Sequence, residues 1–213
     1  MERTFAIGDI HGCLDQLKGM ISLLDIDRER DNLVFVGDYI DRGPDSRGVV
    51  DFILDLKRDL KHVVCLRGNH EEMFLDFYLE RKNGPLFLRN GGRETLSSYG
   101  LKKTAEGKTV DLPDEHLQFL TALPFYFEME DFIFVHAGLR PGLSLEEQDP
   151  YDLLWIRHEF FFSEEEFPKV VVFGHTPFSR PLLEENKIGI DTGAVYGGKL
   201  TCIELPDRKI YQV

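Results

Sequence analysis

The sequence predicts an α/β fold organised around a parallel sheet. Two observations carry that expectation. Up to His70, short apolar strands alternate with segments whose apolar residues recur at helical spacing, the order in which parallel strands are joined by crossover helices. Each of those strands also ends in a cluster of glycine and polar residues, at the strand end where α/β sheets carry their sites.

Thr4 to Ile7 is a β-prone run that stops at Gly8-Asp9, and Leu14, Leu17, Ile21 and Leu24 then recur with helical period. Leu33-Val34-Phe35-Val36 reads as a second strand closed by Gly37-Asp38. Val49, Val50, Ile53, Leu54 and Leu56 mark a second helix, and Val63 to Leu66 a third strand before Gly68-Asn69-His70. The style then changes. Glu72 to Lys82 is expected to be helical and Asn83-Gly84-Pro85 to break it. Asn90-Gly91-Gly92 reads as a loop before a helix from Arg93 to Tyr99, and Asp114 to Leu123 as a helix closed by Pro124. Residues 83–125 are thus expected to form a mostly helical insertion within a single domain over 1–213. Strands return at Phe132–Val135, Val170–Phe173, Lys187–Ile190, Leu200–Leu205 and Lys209–Tyr211, the last two joined by a Pro206-Asp207-Arg208 turn. Glu164-Glu165-Glu166 reads as the solvated start of a helix.

The chain of 213 residues is long enough to bury a real core. Its formal net charge of -13 repels nucleic acid and anionic lipid, so neither is an expected partner. A phosphate site would have to assemble positive charge locally, from metals or arginines. Cys13, Cys65 and Cys202 are scattered and odd in number, which suits a reducing cytoplasm better than a disulfide framework or a zinc site. The N-terminus shows no basic start followed by a long apolar run, so no signal peptide is expected. No stretch approaches the roughly 20 apolar residues of a membrane span.

Three strand-end clusters carry chemistry in the first half: Gly8-Asp9-Ile10-His11-Gly12, Gly37-Asp38-Tyr39-Ile40-Asp41-Arg42-Gly43 and Gly68-Asn69-His70-Glu71. Their carboxylates, imidazoles and amide are oxygen and nitrogen donors suited to divalent transition ions. On neighbouring parallel strands these loops would share one rim. Phe134-Val135-His136-Ala137-Gly138 and Phe173-Gly174-His175-Thr176-Pro177 add two more histidines just past apolar strands. One such histidine is usually structural; two beside three Asp/His/Asn clusters point to metal ligation.

Taken together, the five blocks resemble the PPP-type metallophosphoesterases: Asp-x-His-Gly, Gly-Asp-x-x-Asp-Arg-Gly and Gly-Asn-His-Glu, about 25 residues apart, then two further His motifs. The match runs from Gly8 to about Gly198. Asp41 to Ser46, Asn69 to Met73, Asn90-Gly91-Gly92, Leu154-Trp155-Ile156-Arg157 and Asp191-Thr192-Gly193 look most like the small bacterial and phage serine/threonine protein phosphatases. The resemblance implies a sandwich of two mixed β-sheets flanked by helices, which periodicity alone does not. It implies Asp9 and His11 as ligands of a first metal, Asp38 as the bridge, and Asn69, His136 and His175 as ligands of a second. It implies His70 as the acid that protonates the leaving group, oriented by Asp41, and Arg42 and Arg157 as grips on the phosphate. The implied cofactors are two divalent ions, Mn²⁺ first, with Fe, Zn²⁺ or Ni²⁺ as alternatives. The implied substrate is a phosphorylated protein or a small phosphorylated compound, cleaved by a water activated between the ions.

Other readings stay open at this point. Asp41 could cap the helix that follows its loop. A symmetrical diadenosine tetraphosphate hydrolase or a broad-specificity phosphatase would use the same metal core; relatives of the nucleotide type tend to differ at Asp41 and to carry Asp at Glu71. A module that bound phospho-ligands without turnover would be expected to lack a metal ligand, and all six positions are present. Glu71 is expected near the metals without chemistry of its own, and Tyr196 to overhang the site. His62, His116 and His158, outside every block, are expected to be surface or structural.

Overall fold

The computed structural model describes residues 3–100 and 112–213. Among the described residues, ten strands form two five-stranded mixed sheets. The first is ordered β10-β9-β1-β2-β3, with β1 (Thr4–Ile7), β2 (Asn32–Phe35) and β3 (His62–Cys65) parallel and β9 (Thr201–Leu205) and β10 (Lys209–Gln212) antiparallel at one side. The second is ordered β4-β5-β6-β8-β7. In it β5 (Phe132–Val135), β6 (Val170–Phe173) and β8 (Lys187–Gly189) run parallel, flanked by antiparallel β4 (Tyr126–Glu128) and β7 (Leu182–Leu183).

Strand alternation decides which side chains meet between the sheets, because successive residues point to opposite faces. Ala6, Val34, Phe134, Val172, Ile188 and Ile203 form the buried layer between the two sheets. Their chain neighbours Phe5, Ile7, Leu33, Phe35 and Cys202 face outward onto α1 (Leu14–Leu23) and α2 (Ser46–Asp59). Ile133, Val135, Val171 and Phe173 face outward on the other side, against Leu153 and Phe160. Those two residues belong to α7 (Pro150–Trp155) and α8 (His158–Phe161). Burial on both faces is why these strands read as apolar runs with little alternation.

Several boundaries differ from expectation. The helix placed at Glu72–Lys82 is α3 (Asn69–Tyr78); it begins three residues earlier, so Asn69 and His70 lie in its first turn. The polar residues there gave no apolar period to announce it. At the expected Asn90-Gly91-Gly92 loop the backbone leaves helical geometry at Asn90 and Gly91, with φ of -91 and 99°, making a tight kink between α4 (Gly84–Phe87) and α5 (Arg93–Ser98). Asp114–Thr121 is helical, here α6, and Phe87, Tyr99, Phe119 and Leu120 from this region join the core beneath the first sheet. The expected structure at 101–111 lies outside the described residues. Glu164 to Glu166 do not start a helix but follow α8 in irregular backbone, where Glu165 accepts the Gly142 amide. The short strands β4 and β7 were not foreseen, being too brief to show a period. His116 is buried, bridging Tyr99 Oη and Asp51 at 2.9 and 2.8 Å and so tying α6 to α2. Among the described residues no helix is long and apolar enough to cross a membrane.

Candidate active site

The C-terminal ends of six parallel strands, three from each sheet, meet along one edge. Asp9 and His11 follow β1, Asp38 follows β2, Asn69 and His70 follow β3, His136 follows β5, His175 follows β6 and Asp191 follows β8. Parallel pairing aligns three strand ends in each sheet, and packing of one sheet on the other brings the two sets together. All eight of these side chains are buried.

The local backbone is bent for this purpose. His11, Asp38, Asp41, Arg42 and His175 have φ of 46, 54, 71, 68 and 63°, a region that costs non-glycine residues of order 1–3 kcal/mol each and persists only where surroundings over-determine it. The Asp38 turn shows what does so. Glu71, near the start of α3, accepts the amides of Asp38, Tyr39 and Gly68 at 2.9 Å each and of Ile40 at 3.3 Å. Burial, then the neighbouring Asp38, push the Glu71 carboxyl up to about 8, while the backbone N–H donors oppose that shift and favour the ionised carboxylate. Its role is to bind two strand ends together. Close approach also matters: a Cβ at Gly68 would collide with Asp38 Oδ1, and one at Gly174 with Asp9 Oδ1.

Donor geometry fits cations. His136 Nδ1 lies 2.9 Å from the Val36 carbonyl and so carries the proton, leaving a lone pair on Nε2. That Nε2 lies 2.9 Å from Asn69 Oδ1, and His175 Nδ1 is also 2.9 Å from the same oxygen. Burial holds both imidazoles below their ordinary pKa, His175 well below it, so His136 has no second proton to donate. With the amide oxygen facing the rings, the His136 Nε2 lone pair and Asn69 Oδ1 meet as two acceptors with no proton between them. His11 repeats the pattern: Nδ1 donates to the Ile40 carbonyl at 2.8 Å, while Nε2 faces Asp38 Oδ2 at 3.4 Å and receives an Arg42 N–H at 2.6 Å. Burial pushes the His11 imidazole down to about 3. Asp38 lies between the two groups, with Oδ1 3.5 Å from His136 Nε2. His11, Asp38 and His70 offer ligand atoms within 4.8 Å of one another, and so do Asp38, His136 and His175.

Carboxylates crowd the same place. Asp9 accepts the His175 amide at 3.1 Å on both oxygens. Burial, then the neighbouring Asp191 and Asp38, push its carboxyl well above the usual range. Burial likewise pushes Asp191 up to about 6, opposed by the Gly193 amide and reinforced by Asp38. Three buried carboxylates repelling one another are stabilised by a cation among them. Asp9 stands outside both three-residue groups, and the neighbouring anions that act on it are Asp191 and Asp38.

A second arrangement adjoins the first. His70 Nδ1 and Asp41 Oδ2 are 2.7 Å apart, both fully buried, and His70 Nε2 has no hydrogen-bond partner among the described residues. That nitrogen lies 4.0 Å from Asp38 Oδ2, and the His70 ring meets the His11 ring edge-on at 4.6 Å. Asp41 is not a helix cap; Asp45 performs that role, accepting the Gly48 amide at 2.8 Å. The Arg42 guanidinium sits 5.4 Å from the centroid of the exposed Tyr196 ring at the mouth of the site. Arg157 is exposed, its Nη1 3.4 Å from Thr176 Oγ1. Its charge helps to lower the His136 and His175 pKa values, so it faces the second group.

All ten predicted site residues therefore border one region. Sequence reasoning assigned no role to Asp191 or Thr95. Asp191 could have been found as a carboxylate just past an apolar strand, the signal that marked Asp9 and Asp38. Thr95 carries no such signal.

This geometry can be set beside known proteins. Residues 2–202 match the family described as Calcineurin-like phosphoesterase. The chain belongs to this family. It is a metallophosphoesterase, with two mixed β-sheets flanked by helices. Among curated relatives, serine/threonine-protein phosphatase 1 of Salmonella typhimurium is 32% identical over 203 residues, covering 93% of this chain and 89% of that protein. An asymmetrical bis(5'-nucleosyl)-tetraphosphatase of Anoxybacillus flavithermus is 28% identical over 244 residues, covering 97% and 92%. A solved structure, provisionally assigned as a diadenosine tetraphosphatase, superposes with a TM-score of 0.79 at 25% identity, covering all of this chain and 93% of the other. The Anoxybacillus flavithermus relative is of the asymmetrical type, whereas the alternative left open by the sequence is a symmetrical hydrolase.

Proposed function

We propose that the chain is a serine/threonine protein phosphatase that works with two divalent ions, Mn²⁺ foremost. Asp9 and His11 would hold the first ion and Asn69, His136 and His175 the second, with Asp38 on both. The His136 Nε2 lone pair set against Asn69 Oδ1 and the crowding of Asp9, Asp38 and Asp191 support that assignment. When bound, such ions activate a shared water and neutralise charge on the phosphoryl oxygens.

The observation that carries the choice of substrate is the buried Asp41–His70 pair with a free Nε2. A serine or threonine alkoxide is a strong base and leaves slowly without a proton; the phosphate leaving group of a dinucleoside polyphosphate is a weak base and needs none. A positioned imidazole acid therefore has work to do on a phosphoester and little on a phosphoanhydride. His70 donates from Nε2 to the departing oxygen. Asp41 holds the Nδ1–H, keeps the ring aimed and stabilises its charged form. With Nδ1 committed to Asp41, Nε2 is the atom free to act, and because it lies near His11 and Asp38 the leaving-group comparison is what separates an acid from a ligand.

Arg42 and Arg157 grip the phosphate oxygens, since a guanidinium fork matches phosphate geometry and keeps its charge. Arg42→Ala is expected to leave metal content intact and to weaken inhibition by inorganic phosphate or vanadate by on the order of 1.5–3 kcal/mol, a charge-assisted hydrogen bond. Unchanged inhibition would remove Arg42 from the substrate site.

The nucleotide-hydrolase relatives motivate the rival reading. A phosphothreonine or phosphoserine peptide is expected to show a higher kcat/KM than diadenosine tetraphosphate under one Mn²⁺ condition. The reverse order would make the chain a nucleotide hydrolase while leaving the metal assignment in place.

A further inference from the structure

Asp41 and Arg42 are consecutive non-glycine residues in the left-handed region, with φ of 71 and 68°. Something has to hold them there, and much of it comes from the helical segment after Asn83. The Gly91 carbonyl accepts the Arg42 amide at 3.1 Å. Gly91 itself has φ of 99°, and a Cβ there would press on the Arg42 backbone. Thr95, in the first turn of α5, is fully buried. Its Oγ1 accepts the Asp41 amide at 2.8 Å and donates to Asp41 Oδ1 at 2.6 Å, while Ser46 Oγ lies 3.0 Å away and also reaches the Asp41 amide at 3.1 Å. The proton count closes. Thr95 spends its hydroxyl proton on Asp41 Oδ1, so Ser46 donates to Thr95 Oγ1. Both oxygens of Asp41 are then satisfied, Oδ2 by His70 and Oδ1 by Thr95.

We propose that Thr95 is a positioning residue of the reaction: its hydroxyl sets the rotation of the Asp41 carboxylate and thereby the aim of the His70 ring. This rests on the reading of His70 as the acid. Without the hydroxyl, Asp41 Oδ1 is a buried acceptor with no donor, and the carboxylate can turn away from His70 to find one. The segment containing Asn90-Gly91-Gly92 and Thr95 thus acts on the chemistry without touching substrate or metal.

The test compares leaving groups. Thr95→Val is expected to keep both ions when loaded with Mn²⁺ and to lose on the order of 10- to 100-fold in kcat on a phosphoserine peptide, a loss like that seen when a partner orienting a metal ligand is removed. The loss on para-nitrophenyl phosphate, whose leaving group needs no proton, is expected to be several-fold smaller. Thr95→Ser, which keeps the hydroxyl, is expected to recover most of the peptide activity. Equal losses on both substrates would make Thr95 a structural residue only, and undiminished peptide turnover would show that Asp41 needs no such support; either overturns the inference. Should Thr95→Val not fold, Thr95→Ala carries the same comparison. His70→Asn, measured alongside, separates the two levels. If it shows the leaving-group pattern and Thr95→Val does not, this inference fails alone. If His70→Asn shows equal losses, the acid assignment falls and this inference with it.

Discussion

Replacing Asp38 by asparagine is expected to strip bound metal and abolish turnover more completely than any other single change at the site. Asp38 Oδ1 faces the His136 group and Oδ2 the His11 group, and it is the one residue common to both sets of convergent donors among the described residues. An amide keeps one oxygen and replaces the other with an N–H donor, which cannot ligate and carries no charge. Metal analysis after Mn²⁺ loading should find both ions depleted in Asp38→Asn and a milder loss in His11→Ala, which removes a neutral ligand from one side only. Orienting partners of a metal ligand are typically worth 10–100-fold in affinity or activity, so a shared anionic ligand should exceed that range. Two fully retained ions in Asp38→Asn would sink the bridging assignment. The Glu71 anchor makes the comparison clean, because it holds the turn through backbone amides that the substitution leaves alone.

His70→Asn should give the second large effect, and a selective one. His70 follows Asn69 in the chain and lies close to His11 and Asp38, so proximity does not distinguish an acid from a ligand. Their dependence on the leaving group does. A ligand is needed for every substrate, because the nucleophile is always needed. An acid is needed in proportion to the basicity of the departing oxygen. General acid catalysis is worth about 10²–10⁴-fold, and most of that should be lost on a phosphoserine peptide while para-nitrophenyl phosphate is affected little and metal is retained. Asp41→Asn should follow the same pattern more mildly, since the imidazole stays but loses the charge that supports it. Equal losses on both substrates with depleted metal would make His70 a ligand.

How much of this was legible beforehand differs from element to element. The strands at Phe132–Val135 and Val170–Phe173 emerged with the predicted bounds because strands buried on both faces are unbroken apolar runs. The start of α3 was missed because its first turn is spent on Asn69, His70 and Glu71, so function overrode the apolar period there. The strands β4 and β7 are two or three residues long, too short for a period of two to register.

What the sequence determined by itself is the placement of chemistry on strand ends: Asp9, His11, Asp38, His136 and His175 each stand just past an apolar run, where local patterning marks them, while Asn69 reads locally as a turn residue and is singled out only by the block it sits in. What only the tertiary structure decided is which atoms face one another. That Asn69 Oδ1 meets both His136 Nε2 and His175 Nδ1 depends on the second sheet packing against the first, across separations of 67 and 106 residues. Glu71 proves to be a backbone clamp, Asp191 joins the carboxylate cluster, and Thr95 reaches Asp41 across 54 residues. None of these pairings has a local period to betray it. Hydrogen bonds between distant residues follow from strand register and sheet packing, and those are settled by burial of the whole core rather than by any stretch of chain.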